Sequence, residues 1–258
     1  MALDWLVVGG GLHGVHIAAR LIGEGGVSAE QIRIVDPAPH LLARWRGLTA
    51  TTGMTHLRSP SVHHLGLSPW ALQHFAGRRK SRRKRGLFAA PYNRPSLQLF
   101  NAHCDRIVET YDLAGLHIRD RASSCGVGCD HVVVRVGSGD ELEAQNVVLA
   151  IGMSEQPHWP AWAPREHPRV HHVFQSDFAG WPAHGGVGEV ETVAVVGGGI
   201  TAAQVTLRLV NEGHRVHFIS RHGIREHQFD SSAGWLGPKL MGAFKREKDR
   251  DRRRVMFD

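Results

Sequence analysis

Several things are scarce or missing in this chain, and each absence excludes a class of function. No apolar run approaches the ~20 consecutive residues that cross a bilayer. The sequence opens directly on a strand-like stretch, with no basic leader and no cleavable apolar segment, so the expected location is the cytoplasm. Cysteine is sparse: Cys104, Cys125 and Cys129 cannot all pair with one another. The Cys125-x-x-x-Cys129 spacing is one residue longer than a redox Cys-x-x-Cys and lacks a second pair for zinc, so reduced thiols and no metal are expected. Histidine is plentiful at 19 but scattered, and no His-Glu-x-x-His cluster occurs. Acid is in deficit, giving a formal charge of +7, and the excess is concentrated in Arg78-Arg79-Lys80-Ser81-Arg82-Arg83-Lys84-Arg85 and in a mixed basic stretch from Lys245 to Arg254. Neither run is interleaved with aromatic residues for base stacking, and a solvated loop is expected over a nucleic-acid site. Hydrophobic content of 42% and charge of 21% are ordinary for a globular protein.

What is present begins at Trp5-Leu6-Val7-Val8. This apolar run breaks into Gly9-x-Gly11-x-x-Gly14, followed by Val15, Ala18, Ala19 and Ile22 at helical spacing. Strand, glycine turn and helix are the context that a dinucleotide fingerprint requires. Gly9 permits the turn, Gly11 lets a pyrophosphate approach the backbone, and Gly14 lets helix and strand pack closely. The helix start, with Leu12 and His13, faces the phosphates. Ile32-Arg33-Ile34-Val35 reads as the second strand and ends at Asp36, an acid placed to accept from a ribose hydroxyl. The separation exceeds the usual ~20 residues, and the loop from Gly23 to Ser28 accounts for the excess.

The same grammar recurs. Thr192 to Val196 runs into Gly197-Gly198-Gly199-Ile200-Thr201-Ala202, with Ala replacing the third glycine, then into a helix and the strand Val216 to Ile219. This second strand ends in Ser220-Arg221-His222 without an acid. Ser220 and Arg221 can bind a 2′-phosphate that an acid would repel, which favours NADPH over NADH.

Between the two motifs, His40 to about Tyr92 shows no clear periodicity and reads as a long functional excursion. Pro95-Ser96 opens an amphipathic helix carrying Leu97, Phe100, Cys104, Ile107, Val108 and Tyr111. Leu116 to Arg121, His131 to Val136 and Leu142 suggest a small antiparallel meander, with Ala122 to Asp130 as a loop. Asn146 to Gly152 reads as a buried strand whose end lets backbone pass close to a ligand at Gly152. A proline- and tryptophan-rich connector follows. The expected fold is α/β: two Rossmann-like domains, each a three-layer parallel sheet, with the meander, divided as 1–152, a linker 153–190, and an incomplete second domain 191–258.

Two glycine fingerprints flanking Val148-Leu149-Ala150-Ile151-Gly152 resemble the flavoproteins with two dinucleotide-binding domains. Arg44-Trp45, Thr52-Gly53-Met54-Thr55-His56-Leu57-Arg58-Ser59-Pro60 and Phe229-Asp230-Ser231-Ser232-Ala233-Gly234-Trp235-Leu236-Gly237-Pro238 give a finer resemblance to class B flavoprotein monooxygenases of the lysine/ornithine N-hydroxylase branch. The resemblance implies FAD at Gly9, Gly11, Leu12, His13, Gly14 and Asp36, with Arg44, Trp45, Met54 and Gly152 also at cofactor. It implies NADPH at Gly197, Gly199, Ile200, Thr201, Ala202, Ser220 and Arg221. Arg58 and His56 are candidates to orient NADP or substrate, and no catalytic side chain is named. Three departures stand beside it: the Phe-x-Gly-x-x-x-His fingerprint is absent around Val170 to Phe178, Thr55 stands where the N-hydroxylases carry Gln, and the chain stops at Asp258, whereas the family returns to its FAD domain for a last flavin-contacting segment.

The implied activity is an FAD- and NADPH-dependent monooxygenase. Hydride passes from NADPH to FAD, and a flavin hydroperoxide then oxygenates an amine or other soft nucleophile. A small-molecule substrate and O2 are its reactants, with a homo-oligomer or partner completing the FAD site. A flavin reductase or oxidase without oxygen insertion, and a non-catalytic nucleotide-binding module, remain the alternatives.

Overall fold

The computed structural model describes residues 2–77, 86–90, 92–152, 156–175, 178, 180–181, 190–224, 226 and 238–256. The basic run Arg78 to Arg85 and the segment Phe229 to Gly237 lie outside the described residues. In chain order the elements are β1 (Leu3–Val8), α1 (Leu12–Gly23), β2 (Ile32–Val35), α2 (Ala43–Thr52), α3 (Ala71–Phe75), β3 (Phe88–Ala89), β4 (Arg94–Pro95) and α4 (Leu97–Thr110). They continue as β5 (His117–Ile118), β6 (Ala122–Val127), β7 (Val132–Val136), β8 (Glu141–Leu149), β9 (Thr192–Val196), α5 (Ile200–Asn211), β10 (Arg215–Ile219), α6 (Pro238–Arg246) and α7 (Arg250–Arg254).

Two compact units emerge: Met1–Leu41 with Thr55–Ala150 and His227–Asp258, and Leu42–Met54 with Ile151–Glu226. This division differs from one cut at 152 and 190, because α2 belongs with the second unit. The Arg208 guanidinium donates to the carbonyls of Ala50 and Thr51, and the Trp181 indole N–H donates to Thr51 O at 2.8 Å. Those groups hold the C-terminus of α2, where unpaired carbonyls need donors.

The first unit is built on a six-stranded sheet in the order β5-β2-β1-β8-β7-β6. β1 sits between β2 and β8, parallel to both, with Val8 opposite Val35 and Leu149. Alternation sends Leu6 and Val8 into a core with Val35, Val134, Val136 and Ala144. Val7 and Ile34 are also fully buried, as are Val15, Ala18 and Ala19 on the inner stripe of α1. Each buried valine, leucine or isoleucine among them contributes about 1.5–3 kcal/mol by leaving water, and each alanine less. The amphipathic helix expected after Pro95 is α4, with Ser96 Oγ accepting from Leu99 N at its start.

Two sequence expectations need correction here. The meander consists of β6, β7 and β8, whereas β5 pairs parallel with β2. Ala122 to Val127 is therefore a strand and no loop. It carries no apolar alternation because it is an exposed edge, held by backbone bonds to β7 instead of by burial. The strand ending near Gly152 exists as β8, but it is not buried throughout: Leu149 and Ile151 are 61% and 67% exposed. Its apolar composition marks one covered stretch, around Ala144 and Val147, and not a sealed strand.

The excursion from His40 also contains more order than its sequence suggests. α2 has no apolar stripe, and its buried positions are Thr49 and Thr52. Their hydroxyls bond back to helix carbonyls, Thr49 to Trp45 at 3.0 Å and Thr52 to Thr49 at 3.3 Å, so polar residues line its inner face without stranded donors.

In the second unit β9 and β10 form a two-stranded parallel sheet, with Val193 opposite Val216 and Val195 opposite Phe218. Val195, Ala202, Val205 and Leu209 form its core, with Val173, Trp181, Val193, Val216 and Phe218 packed around them. Both units are thus Rossmann-like α/β layers, the first complete enough to carry parallel and antiparallel strands in one sheet.

Candidate dinucleotide sites

At the end of β1 the chain turns through Gly9, whose φ is +113°. Gly9 N donates to Val35 O at 2.8 Å, which ties the turn to the end of β2. Gly14 then packs so closely that a Cβ there would lie 1.8 Å from Gly9 O. Gly11 is different: its backbone is extended, and a Cβ added to it would meet nothing within 4 Å. Gly11 is the N-cap of α1, no side chain caps this end, and no acid stands in its first turn. The amides of Leu12, His13 and Gly14 therefore precede the first helical bond, Val15 N to Gly11 O, and face an open approach. That is the anion-accepting end of a helix, with room for a phosphate at the one glycine where room is needed.

Asp36 closes the site. Its Oδ2 accepts from Gly10 N at 2.6 Å and its Oδ1 from Ala38 N at 2.8 Å. The strand-end carboxylate is thereby held beside the glycine turn, and each oxygen keeps a second lone pair for a ribose hydroxyl.

The second motif repeats this geometry. Gly197 has φ +151°, and its N–H donates to Ile219 O at 2.9 Å, as Gly9 does to Val35 O. Gly199 caps α5 with extended backbone, no side-chain cap and nothing within 4 Å of an added Cβ. Ile200, Thr201 and Ala202 supply the first-turn amides. Ala202 stands where the first motif has its third glycine, and its Cβ lies 3.1 Å from where a Cβ on Gly197 would sit, so Gly197 has little room for a side chain. The strand-end residues differ in kind. Where the first middle glycine, Gly10, faces Asp36, the second, Gly198, faces Ser220 and His222, whose Cβ and Cε1 lie 3.4 and 3.3 Å from an added Cβ.

Residues 6–154 match the family model described as FAD-NAD(P)-binding. The chain belongs to that family. Residues 114–233 also match the model for L-lysine 6-monooxygenase/L-ornithine 5-monooxygenase. None of the curated proteins matches the sequence. Among solved structures, a flavin-containing monooxygenase from Stenotrophomonas maltophilia is 19% identical with a TM-score of 0.57, over 87% of this chain and 59% of that one. Cyclohexanone monooxygenase from Rhodococcus sp. Phi1, bound to NADP+, is 18% identical with a TM-score of 0.57, over 95% and 42%. The bacillithiol disulfide reductase Bdr from Staphylococcus aureus is 15% identical with a TM-score of 0.60, over 95% and 63%. These likenesses show a shared fold, and the chain spans about three fifths of the length of the first of them.

The structure of this FAD-NAD(P)-binding chain gathers the expected residues into two sets. Gly9, Gly11, Leu12, His13, Gly14 and Asp36 converge at one helix start, and Gly197, Gly199, Ile200, Thr201, Ala202 and Ser220 at the other, with Arg221 next in sequence. His222 escaped the sequence reading as a site residue. The signal was its position three residues past the strand end at Ile219, where its ring lies against Gly198. Arg44 and Trp45 lie on α2 in the second unit, where the Arg44 guanidinium donates to Phe174 O at 3.1 Å. Met54 follows α2, its N–H bonded to Thr49 O. His56 is engaged locally, with Nε2 3.2 Å from Gly86 O and Nδ1 3.3 Å from Thr55 Oγ1. Gly152 is exposed with φ +63°. It belongs to a set: where the chain passes between units, Leu42, Gly53 and Gly152 have φ of 64°, 65° and 63°. Among the described residues no group of His, Cys, Asp and Glu is arranged to hold a metal ion, and no helix is long and apolar enough to cross a membrane.

Proposed function

We propose that the first glycine site holds FAD, that the second holds NADPH, and that the protein is a monooxygenase acting on an amine or another soft nucleophile, with O2 as co-substrate. The carrying observation is the pair of uncapped helix starts at Gly11 and Gly199, alike in backbone and different in the strand-end group beside them. Asp36 suits the unphosphorylated ribose of FAD, because a carboxylate accepts from hydroxyls. Ser220 and Arg221 suit a 2′-phosphate: the Arg221 guanidinium would donate to it, and so would the Ser220 hydroxyl once released from its bond to the His222 carbonyl. When bound, FAD supplies the acceptance of hydride and the activation of oxygen. This chain's residues bind and orient: the amides of Leu12 and His13 face one pyrophosphate, those of Ile200 and Thr201 the other, and Gly11 and Gly199 admit them. Arg44, Trp45, Met54 and Gly152 complete the proposed cofactor surroundings. The monooxygenase family model over residues 114–233 supports the reaction class.

The test is the visible spectrum of the purified chain before and after adding FAD, then NADPH under anaerobic conditions. Flavin that is retained and bleaches with NADPH supports both sites. Protein that takes up no FAD at any concentration overturns the reading.

A further inference from the structure

The six-stranded sheet has two unequal edges. One is β5, only two residues long, and a short edge offers little to a passing strand. The other is β6, six residues long, whose outer side pairs with no strand among the described residues. Exposed edges of that length are usually guarded by lysine, proline or a covering element. Ala122 to Val127 contains no charge and no proline. Ser123 to Val127 are all exposed, Val127 at 87%. The one irregularity lies at the start, between Ala122 and Ser124, leaving Ser124 to Val127 in continuous register with Arg135 to Val132 of β7. The strand is also anchored at its base. Asp120, just before it, accepts from the backbone N–H groups of Arg121, Gly137 and Ser138 at 2.6, 3.1 and 3.1 Å, which fastens the entry to β6 onto the β7–β8 turn.

The flanking charge is net cationic before the strand, where Arg119 and Arg121 bracket Asp120, and anionic after it, at Asp130. An antiparallel copy of the same strand brings the arginine end of each chain beside the aspartate end of the other, whereas a parallel copy sets like charges together. We propose that β6 is a self-association edge, through which two copies of this chain pair antiparallel about a two-fold axis into one continuous sheet. A two-fold contact of this kind uses the same patch on both chains. A two-fold axis normal to the sheet sets one residue opposite its own copy: with Ser124 at the axis, Ser123 faces Cys125 and Ala122 faces Gly126 of the second copy. The small side chains of Ser123, Ser124 and Gly126 keep neither chain at a distance.

The two exposed cysteines report on this arrangement, since Cys125 and Cys129 are exposed while Cys104 is buried. In the proposed pairing the two Cys125 residues flank the axis. The two Cys129 residues are about 33 Å apart at ~3.3 Å per residue along the strands. The experiment treats the reduced full-length chain with a short bis-maleimide and measures mass by light scattering over a hundredfold concentration range. Cys129→Ser is expected to cross-link to a dimer at least tenfold faster than Cys125→Ser, with mass rising toward twice that of the chain. Val127→Lys and Ser124→Lys place a charge on the edge and are expected to abolish the cross-link, while circular dichroism melting and FAD uptake stay as in the parent. A chain that remains monomeric throughout, a dimer linked through Cys129, or a dimer indifferent to both lysines overturns the proposal. If either lysine variant fails to fold, the contrast between the two serine variants decides alone.

Discussion

At the scale of single residues, the three glycines of the first motif do different physical work, and substitutions separate them. Alanine at Gly14 sets a methyl against Gly9 O, at a distance no real Cβ adopts. Gly14→Ala is expected to cost about 3 kcal/mol through forced backbone displacement, seen as a lowered urea midpoint. Alanine at Gly11 meets no atom and keeps its extended backbone. Gly11→Ala is therefore expected to leave stability within about 1 kcal/mol of the parent while weakening FAD binding at least tenfold, measured by titration of flavin fluorescence. Unchanged FAD affinity in a folded Gly11→Ala chain would count against the site. The strand-end pair gives a second contrast: Ser220→Asp is expected to weaken NADPH about tenfold or more and to leave NADH within about threefold, by isothermal titration. Equal losses for both nucleotides would show that Ser220 does not face the 2′-phosphate.

At the scale of elements, α4 carries a buried histidine with a pH consequence. His103 is 2% exposed, its Nδ1 has no hydrogen-bond partner, and its ring lies edge-on to His64 at 5.1 Å and to Phe75 at 5.4 Å. Desolvation, reinforced by nearby His64, lowers its pKa from the usual 6.5 to about 4. Burial lowers His64 as well, against the Pro69 carbonyl that raises it, and His16 and His63 add in the lowering direction. The folded chain thus binds fewer protons than the unfolded one between those values, so stability is full above pH 6.5 and falls as pH drops toward 4. The expected slope from His103 is at most about 1.4 kcal/mol per pH unit. His103→Phe is expected to flatten it in urea titrations between pH 4.5 and 7, taken as a rough experimental window. An unchanged slope would place the acid sensitivity elsewhere. A second element prediction concerns α2. Removing the guanidinium that holds its last carbonyls, by Arg208→Ala, is expected to destabilise the second unit by about 1–2 kcal/mol, read as earlier hydrogen exchange in residues 43–52. Exchange unchanged there would show that the carbonyls find water at no loss.

Elements were legible from sequence in proportion to how much each depends on burial. β1, β2, β9 and α1, with their Val, Ile, Leu and Ala periodicity, could be read almost to the residue, as could the start of α4 from Ser96. α2 and β6 could not. One buries threonines that satisfy themselves, and the other covers only Ala122 and is held by backbone bonds to a neighbour. Neither leaves an apolar period to read. Asp36 was legible as an acid at a strand end, whereas His222 depended on a fold-back that no spacing rule describes.

At the scale of the whole molecule, the chain is two α/β units of unequal size, each with one glycine-turn helix start. That duplication was determined by sequence alone, because glycine at Gly9, Gly14 and Gly197 answers to local sterics: positive φ and contact with a backbone oxygen tolerate no larger residue. The choice of Asp36 in one site and Ser220 with Arg221 in the other was likewise local and legible. Tertiary structure decided which unit owns α2, that the meander and the parallel strands share β8 in one sheet, and that β6 is the outermost strand of that sheet among the described residues. Strand pairing and unit membership are settled by backbone hydrogen bonds and contacts between residues far apart in the chain. Such partners leave no periodic trace in the sequence of either member.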